Sequence, residues 1–505
     1  MATTLEKWEN IIKEKRKNTP FRDFVKEITS WQPLSFYNIN WKISRYPDTL
    51  RVKIIDDRDF IDRSIDEIQV GWDIDTADFM WSLQELWLEH GLPRLWHFWE
   101  TENSAFSETV GAVKNAYLSF MCFYAENVLY SFCVTWNTKD VLYSFCVTWN
   151  TKDVFNSVLV VNNSEIVYFS TWVIKSFKIF YSRCIIDSNN VWFSVNLMWC
   201  SECIFCDNLE NKSYCIWNVQ YSKEEYLHKK TEILDRKEKF LSYMEKISSI
   251  PWMNISSSNL SDSTFTLFSE NLQNSHYSYQ IKDWRNAILA WNFSWAEWVS
   301  EKMYDNFTTA INAFDIYWWL WTSPWDNGYC NMNSWEFSHL YYSRFMMSCS
   351  FCLWCVWLKN KSYCILNKQY SKEEWYILVD KIFEQMNKDW ILWNFFPWKL
   401  NPFYFNDTAA YLIDDSFTKE EVTKESYMWR DEEIKVDIPE WSEIVDIKDL
   451  DIVNYGEEIL KKVIRDKSWN YYRIVKMEYD FLKKYNLPLP EVHWLDRIKL
   501  GFKFN

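Results

Sequence analysis

Glycine is almost missing from this chain, with 6 residues among 505, whereas an ordinary protein has about 7% glycine. Tryptophan is in excess at 34 residues, and several tryptophans stand where a turn calls for glycine. We therefore expect a gene from a lineage that reads the UGA codon as glycine. The alternative is a protein truly rich in tryptophan. The first hypothesis predicts exposed side chains at Trp136, Trp149, Trp217, Trp398 and Trp441.

Other features are missing as well. No stretch reaches the ~18 apolar residues of a membrane helix, and the first residues lack the apolar core of a secretion signal. The net charge is −15 and the basic residues are scattered, which argues against nucleic acid or a membrane as the main partner. The 13 cysteines are an odd number. We expect a cytoplasmic protein without a disulfide framework, whose partner is another protein.

The length of 505 residues predicts two to four domains. We place an N-terminal α/β region at 1–105 and a first β-repeat module with a helix at 106–255. A second β-repeat module with a helix follows at 256–400, and a loop-rich, partly helical region at 401–505.

A cysteine-rich segment occurs twice, 149 positions apart. Of the 27 residues from 200 to 226, 18 are identical in the second copy. Each copy has the pattern Cys-x2-Cys-x2-Cys-x8-Cys, followed by Ser-Lys-Glu-Glu. The chain therefore has an internal duplication. This pattern predicts an architecture but no reaction.

A shorter repeat precedes the first copy. Residues 128–140 recur unchanged at 141–153, and a 13-residue rhythm continues beyond them. Two short β-compatible runs joined by polar corners are typical of a β-solenoid rung, so we predict an α+β, mainly β fold with two solenoid-like modules. A β-sandwich and an irregular cysteine-rich fold are the alternatives. The first and seventh repeat positions should form two columns: Val128, Val141, Val154, Val167, Phe180, Phe193; and Val134, Val147, Val160, Val173, Ile186.

Ser222-Lys-Glu-Glu225 and Ser371-Lys-Glu-Glu374 have the spacing of a capping box, which predicts a helix start after each serine. The first helix should run to about residue 250 and the second to about 387. Helical spacing or stop signals predict further helices at 5–12, 21–28, 79–88, 457–466 and 474–486.

The candidate metal ligands are the eight cysteines of the two modules. Four thiolates can close a tetrahedral zinc site, and an iron–sulfur cluster or a redox-active thiol are further options. Against these stands cysteine as a small apolar filler of a narrow solenoid, which we favour. We then expect sulfurs strung along the interior, with the fourth cysteine of each module far from the other three. The eight are Cys200, Cys203, Cys206, Cys215, Cys349, Cys352, Cys355 and Cys364.

Other chemistry is poorly supported. His339 lies ten residues before Cys349 and could be a ligand, although a solvated loop histidine is the more ordinary interpretation. No nucleophile elbow, catalytic triad, Walker loop or dinucleotide fingerprint is present, even when tryptophan is read as glycine.

The string Asn360-Lys-Ser-Tyr-Cys-Ile-Leu-Asn-Lys-Gln-Tyr-Ser-Lys-Glu-Glu374, its counterpart ending at Glu225, and Arg473 to His493 resemble a family of cysteine-rich proteins from candidate-phyla-radiation (Patescibacteria) bacteria. The family has no established activity, so the resemblance implies architecture only. Some lineages of that radiation read UGA as glycine. Members commonly carry zinc-ribbon-like cysteine pairs near their ends, whereas residues 1–121 and 365–505 lack cysteine here. The resemblance therefore implies degenerate terminal ribbons without metal, with Lys467-Ser468-Trp469 as a remnant.

These observations favour a non-enzymatic β-repeat scaffold that binds a protein partner, since solenoids offer extended faces. The alternative is a metal-binding or redox protein in which the two cysteine modules hold zinc or exchange electrons.

Overall fold

The computed structural model describes residues 101–250, 338–392, 401–431 and 440–502, residue 438, parts of 5–100, and five strands between 264 and 335. Within these ranges the chain is mainly β. It divides into two compact units, each of which combines one repeat region with one chain terminus. Unit 1 contains Met1–Arg94 and Met253–Arg430, and unit 2 contains Leu95–Trp252 and Asp431–Asn505.

Eight α-helices lie in the described residues: α1 (Phe21–Ile28), α2 (Lys223–Leu234), α3 (Phe240–Ser248), α4 (Lys372–Lys388), α5 (Ala409–Ile413), α6 (Lys419–Lys424), α7 (Lys476–Lys484) and α8 (Trp494–Phe502). Shorter 3-10 turns occur at Thr29–Trp31, Lys237–Lys239, Phe405–Asp407, Ile447–Asp449 and Glu457–Lys461. None of the helices in these ranges has the length and apolar character that crossing a bilayer requires.

The predicted helices at 21–28 and 474–486 are confirmed by α1 and α7, and α4 ends one residue beyond the predicted 387. Two predictions were wrong. The helix after the first module stops at Leu234 and resumes as α3, because the chain bends through a 3-10 turn between them. The predicted helix at 457–466 is a 3-10 turn followed by a strand, which pairs with its neighbours in a small sheet. Most of 5–12 and 79–88 lies outside the described residues.

Unit 1 begins with an antiparallel pair, β1 (Tyr37–Ile39) and β2 (Lys42–Ser44), and a parallel pair, β3 (Ile54–Ile55) and β4 (Leu92–Pro93). Unit 2 then contains fifteen solenoid strands: β5 (Phe106–Leu129), β6 (Phe132–Leu142), β7 (Phe145–Thr148), β8 (Lys152–Phe155), β9 (Val158–Val161), β10 (Glu165–Tyr168), β11 (Thr171–Ile174), β12 (Phe177–Phe180), β13 (Arg183–Ile186), β14 (Asn189–Trp192), β15 (Val195–Met198), β16 (Ser201–Ile204), β17 (Asp207–Glu210), β18 (Ser213–Ile216) and β19 (Val219–Gln220).

These fifteen strands form a β-solenoid. Each strand pairs in parallel with the strand two places further along, as β7 does with β9 and β8 with β10. One rung therefore consists of two short strands and two corners. Val134, Val147, Val160 and Val173 lie in register in one column and are fully buried. This column confirms the predicted solenoid and its inward face.

The 13-residue rhythm does not continue as predicted. Beyond Val167 the rungs have 12 residues, so Ile179 and Val191 extend the first column in place of Phe180 and Phe193. Ile185 likewise extends the second column in place of Ile186. The longer rungs carry two successive left-handed residues at one corner, as at Trp136-Asn137, and the later corners need only one, such as Lys175.

A left-handed residue recurs at about every third position from Asn103 to Asn218. This conformation turns the chain sharply, and glycine and asparagine adopt it most readily. The rung is consequently a narrow tube in which every third side chain points inward. In unit 2 a C-terminal region packs on one outer side of this tube, for example where Phe481 of α7 stacks on Phe155 at 4.1 Å. Its sheet is β29 (Glu443–Asp446), β30 (Lys462–Arg465) and β31 (Tyr471–Tyr472).

The second repeat region, in unit 1, has a parallel pair and a seven-stranded sheet. Helix α4 follows the last hairpin, and the N-terminal residue Trp8 donates a hydrogen bond from Nε1 to Asp380 of α4 at 2.8 Å. The strands are β20 (Thr264–Leu267), β21 (His276–Tyr279), β22 (Tyr304–Asn306), β23 (Ile316–Ser323), β24 (Gly328–Trp335), β25 (Ser338–Tyr341), β26 (Ser350–Leu353), β27 (Ser362–Ile365) and β28 (Lys368–Gln369).

Candidate functional site

The interior of the first solenoid contains a ladder of serine hydroxyls. The backbone N–H of Ser144 donates to the hydroxyl of Ser131 one rung earlier, at 3.1 Å. The Ser144 hydroxyl donates in turn to the carbonyl of Leu142 at 2.8 Å. The same pattern recurs at Ser157 and Ser170. Each corner N–H is thus satisfied inside the tube, which buried backbone groups require.

Two of the predicted site cysteines occupy this serine ladder. The N–H of Cys206 donates to the Ser194 hydroxyl at 3.0 Å, and its thiol donates to the carbonyl of Ile204 at 3.4 Å. Cys200 makes the corresponding bonds to Ser188 and Met198. A thiol therefore takes the role that a serine hydroxyl has in the preceding rungs.

The other two cysteines of the first module lie in the valine column. Cys203 pairs in register with Val191 on one side and with Cys215 on the other. Both thiols are buried. The expectation that Cys215 is far from the other three is wrong. It is the direct neighbour of Cys203 on the next rung, because a corner after every third residue brings the chain back.

Cys203 lies at the centre of the first quartet. It is hydrogen-bonded to the thiols of Cys200 and Cys206, and Cys215 is hydrogen-bonded to it as well. The bond to Cys203 lowers the pKa of Cys200 to about 7, while its hydrogen bonds to Cys200 and Cys206 raise the pKa of Cys203. A thiol that donates to its neighbours stabilises their thiolates and disfavours its own.

The second module repeats this arrangement. Cys352 pairs in register with Cys364, and its thiol is hydrogen-bonded to Cys349, Cys355 and Cys364. The N–H of Cys355 donates to the hydroxyl of Ser343 at 3.0 Å, as Cys206 does to its serine. Burial raises the pKa of Cys352 and that of Cys355.

Each quartet has contacts that radiate from one thiol, and a tetrahedral metal site needs four sulfurs around a common centre. Within the described ranges, no group of three or more His, Cys, Asp or Glu side chains is arranged to hold a metal ion. His339 does not face the thiols of its module as a ligand would, since its ring stacks on Phe351 at 4.4 Å.

An asparagine closes the end of each module, a role that sequence reasoning missed. Asn218 accepts from the N–H of Asp207 at 3.0 Å and donates to the carbonyl of the same residue at 2.9 Å. Asn367 makes both bonds to Val356, each at 2.9 Å. The side-chain amide replaces the strand that would otherwise come next. The repeated asparagine before Gln-Tyr-Ser was the available signal.

A hairpin and a helix complete each cap. β18 pairs with β19, and β27 with β28, in the same antiparallel register. Ser222 and Ser371 then form the predicted capping boxes, each accepting from the N–H of a glutamate three residues later at 3.3 Å. The conserved spacing between the two copies therefore encodes one complete end structure.

A groove of about 450 Å³ runs along the outer surface of the first rungs. Its walls carry alternating charges, with Lys114 paired to Glu102 at 3.3 Å and Lys139 paired to Glu126 at 2.8 Å. Tyr124 also lines it. The volume is within the range of ligand pockets, and the polar lining suits a polar occupant.

The tryptophans expected to be exposed can be examined in the same way. Trp136 and Trp149 lie half or more buried in a stack along the corner, with Trp136 the more exposed. Trp217 is 62% and Trp441 is 76% exposed. Trp398 lies outside the described residues. Three of the four that can be examined are therefore exposed by the usual measure, as the glycine hypothesis predicts.

Comparison with known proteins adds no assignment. No family model, curated protein or solved structure matches this chain. The functional argument therefore rests on the groove, the thiol quartets and the two caps.

Proposed function

We propose that the protein is a non-enzymatic cytoplasmic scaffold, and that the groove of the first rungs binds an extended segment of a protein partner. The observation that carries this proposal is the regular alternation of Glu102, Lys114, Glu126 and Lys139 at the spacing of the rungs. Parallel strands lie about 4.7–4.9 Å apart, so the charges form a periodic surface. Such a surface favours a partner segment whose own charges alternate.

A site-specific crosslinking experiment tests this proposal. A photo-reactive residue placed at Glu126 should capture one partner in cells of the native host, whereas the same residue at the exposed Lys175, outside the groove, should not. Reversing two charges, with Lys114→Glu and Lys139→Glu, should reduce capture about tenfold, which corresponds to about 1.4 kcal/mol. Equal capture at both positions, or no effect of the reversal, would refute it.

The second candidate function is metal binding or redox chemistry at the two quartets. The observation that favours it is the contact of Cys203, and of Cys352, with three further thiols. Four thiolates are a complete ligand set for zinc. Metal analysis of anaerobically purified protein separates the candidates. About two zinc ions per chain would support metal binding, and a metal-free protein would leave the scaffold as the better account.

We further propose that the two modules arose by duplication. The supporting observations are the shared register of Cys203 with Cys215 and of Cys352 with Cys364, the two asparagine caps and the two capping boxes. Under this proposal the terminal regions were added around the repeats, and the resemblance to the Patescibacteria family concerns the repeats above all.

We also propose that many tryptophan positions are glycine in the protein that the native host makes. Trp390 supports this most directly. It follows the end of α4 with a φ of 60° and is 86% exposed, and the N–H of Ile391 bonds back to the carbonyl of Met386. Glycine is the usual residue at this position after a helix. Positive φ angles recur at Trp136, Trp149, Trp172, Trp199, Trp217, Trp354, Trp357 and Trp469.

The mass of the intact protein from the native host tests this proposal. Each Trp→Gly exchange removes a whole indole side chain, so the measured mass should fall well below the 61.8 kDa of the chain as written. A mass equal to that value would refute the proposal.

A further inference from the structure

Two cysteines outside the quartets lie side by side in unit 2. Phe132 of β6 pairs in register with Phe145 of β7, and the residues that follow them are Cys133 and Cys146. The two cysteines are therefore one rung apart, at the strand spacing of about 4.7–4.9 Å. Their thiols are hydrogen-bonded to each other. Both backbones are left-handed, with φ of 57° and 54°, so their side chains leave the strands in the same direction.

This pair differs from the paired thiols of the interior. Cys203 and Cys215 are also in register, but they lie in the interior column of the tube, where a reagent cannot approach while the rungs are intact. Cys133 and Cys146 do not belong to that column and are 9% and 8% exposed. They are the in-register thiol pair of the first solenoid that opens toward the outside.

We propose that Cys133 and Cys146 form a reversible disulfide that links two neighbouring rungs, with a small-molecule disulfide as the oxidant. The separation of the strands lies within the Cα distances of 4.4–6.8 Å that disulfides span. One cysteine, as its thiolate, attacks the small disulfide and releases one small thiol. The second cysteine then displaces the remaining half. Two protein thiols lose two electrons and two protons, and one small disulfide gains them to become two small thiols.

This inference is independent of the scaffold proposal and of zinc binding at the quartets. The bond would close a 13-residue loop of chain and restrict the unfolded state, so the oxidised protein should unfold at a higher temperature than the reduced one. The modification would thus stiffen the segment of the solenoid next to the groove in response to the redox state of the surroundings.

The experiment uses the full chain, incubated in its native state with oxidised glutathione and then alkylated in denaturant. Of the thirteen thiols, eleven should remain alkylated. Cleavage after lysine places Cys146 alone in peptide 140–152 and Cys133 in peptide 115–139, which also contains Cys122. A linked pair of these two peptides is expected, and fragmentation should place the bond at Cys133.

Cys184 supplies the matched control, because it occupies the same outer column with Trp172 and Asn196 as its neighbours instead of a thiol. Cys184→Ser should still lose two thiols on oxidation, whereas Cys133→Ser and Cys146→Ser should lose none. The unmodified chain decides the matter even if a variant fails to fold. Persistent mixed disulfides with glutathione, a link from peptide 140–152 to Cys122, or no loss of thiols would overturn the proposal.

Discussion

At the end of the first module Asn218 is exposed, and helix α2 buries only Tyr226. At the end of the second module Asn367 is buried, and helix α4 buries five side chains, Trp375, Val379, Ile382, Phe383 and Met386. The two caps share their sequence through the capping box, so their local hydrogen bonds agree. They diverge afterwards, where Lys229 and Lys230 correspond to Leu378 and Val379. Local structure therefore follows the shared residues, and burial follows the residues beyond them.

The last strand of each module shows the same contrast. In the first module β17 is an acidic edge with Asp207 and Glu210 at its ends, and alternate side chains are exposed. In the second module the corresponding residues Val356 and Leu358 are buried. Charged residues on an open edge oppose pairing with another chain, so the first end is protected by charge and the second by packing.

The largest difference should appear in the helices that follow the caps. Phe383 is fully buried in α4, whereas Leu234, its counterpart 149 residues earlier, is half-buried in α2. Phe383→Ala should lower the free energy of unfolding by about 3–5 kcal/mol, and Leu234→Ala by about 1–2 kcal/mol, because less apolar contact is lost. Urea unfolding of each variant measures this. Equal losses would show that the two helices are covered alike.

The asparagine caps sharpen the comparison. Asn367→Ala leaves the N–H and the carbonyl of the buried Val356 without partners, which should cost about 1–3 kcal/mol. Asn218→Ala exposes the same two groups of Asp207 to water and should cost about 0.5–1 kcal/mol. The difference between the two midpoints of urea unfolding checks this. A larger loss for Asn218→Ala would contradict the burial argument.

The thiol positions allow a test within one module. Cys206 replaces serine and Cys203 replaces valine, so Cys206→Ser and Cys203→Val should each change stability by less than about 1 kcal/mol. The exchanged variants, Cys206→Val and Cys203→Ser, should each cost about 1–3 kcal/mol, because each places the wrong polarity in its column. If all four variants lost metal and stability together, the quartet would be a metal site.

The smallest effect is expected at the hairpin turns. Trp217 and Leu366 occupy the same left-handed position, with φ of 52° and 47°, but Trp217 is exposed and Leu366 is buried. Trp217→Gly should stabilise the protein by about 1 kcal/mol through relief of backbone strain. Leu366→Gly should be destabilising, because the loss of a buried side chain outweighs that relief. Thermal unfolding of the two variants measures both signs. A destabilising Trp217→Gly would also argue against glycine at this position.

Much of the fold could be predicted, since the valines at 134, 147, 160 and 173 recur with an exact period and each apolar column must face inward. The change from 13 to 12 residues per rung could not be read in advance. The corner at Lys175 has no turn signal, and the shift is visible only when Ile179 is seen opposite Val167. The position of Cys215 beside Cys203 was missed for the same reason, because an extended chain was assumed where every third residue turns.

The sequence by itself determined the rungs, the inward columns, the two capping boxes and the equivalence of the two cysteine modules, since all of these depend on residues within one or two turns of chain. Only the tertiary structure decided which end is covered. The N-terminal residue Trp8 packs on α4 at Phe383, and the C-terminal helix α7 packs on the first solenoid at Phe155. These contacts join residues hundreds of positions apart, and no local periodicity encodes them, because burial depends on which apolar surfaces meet in space.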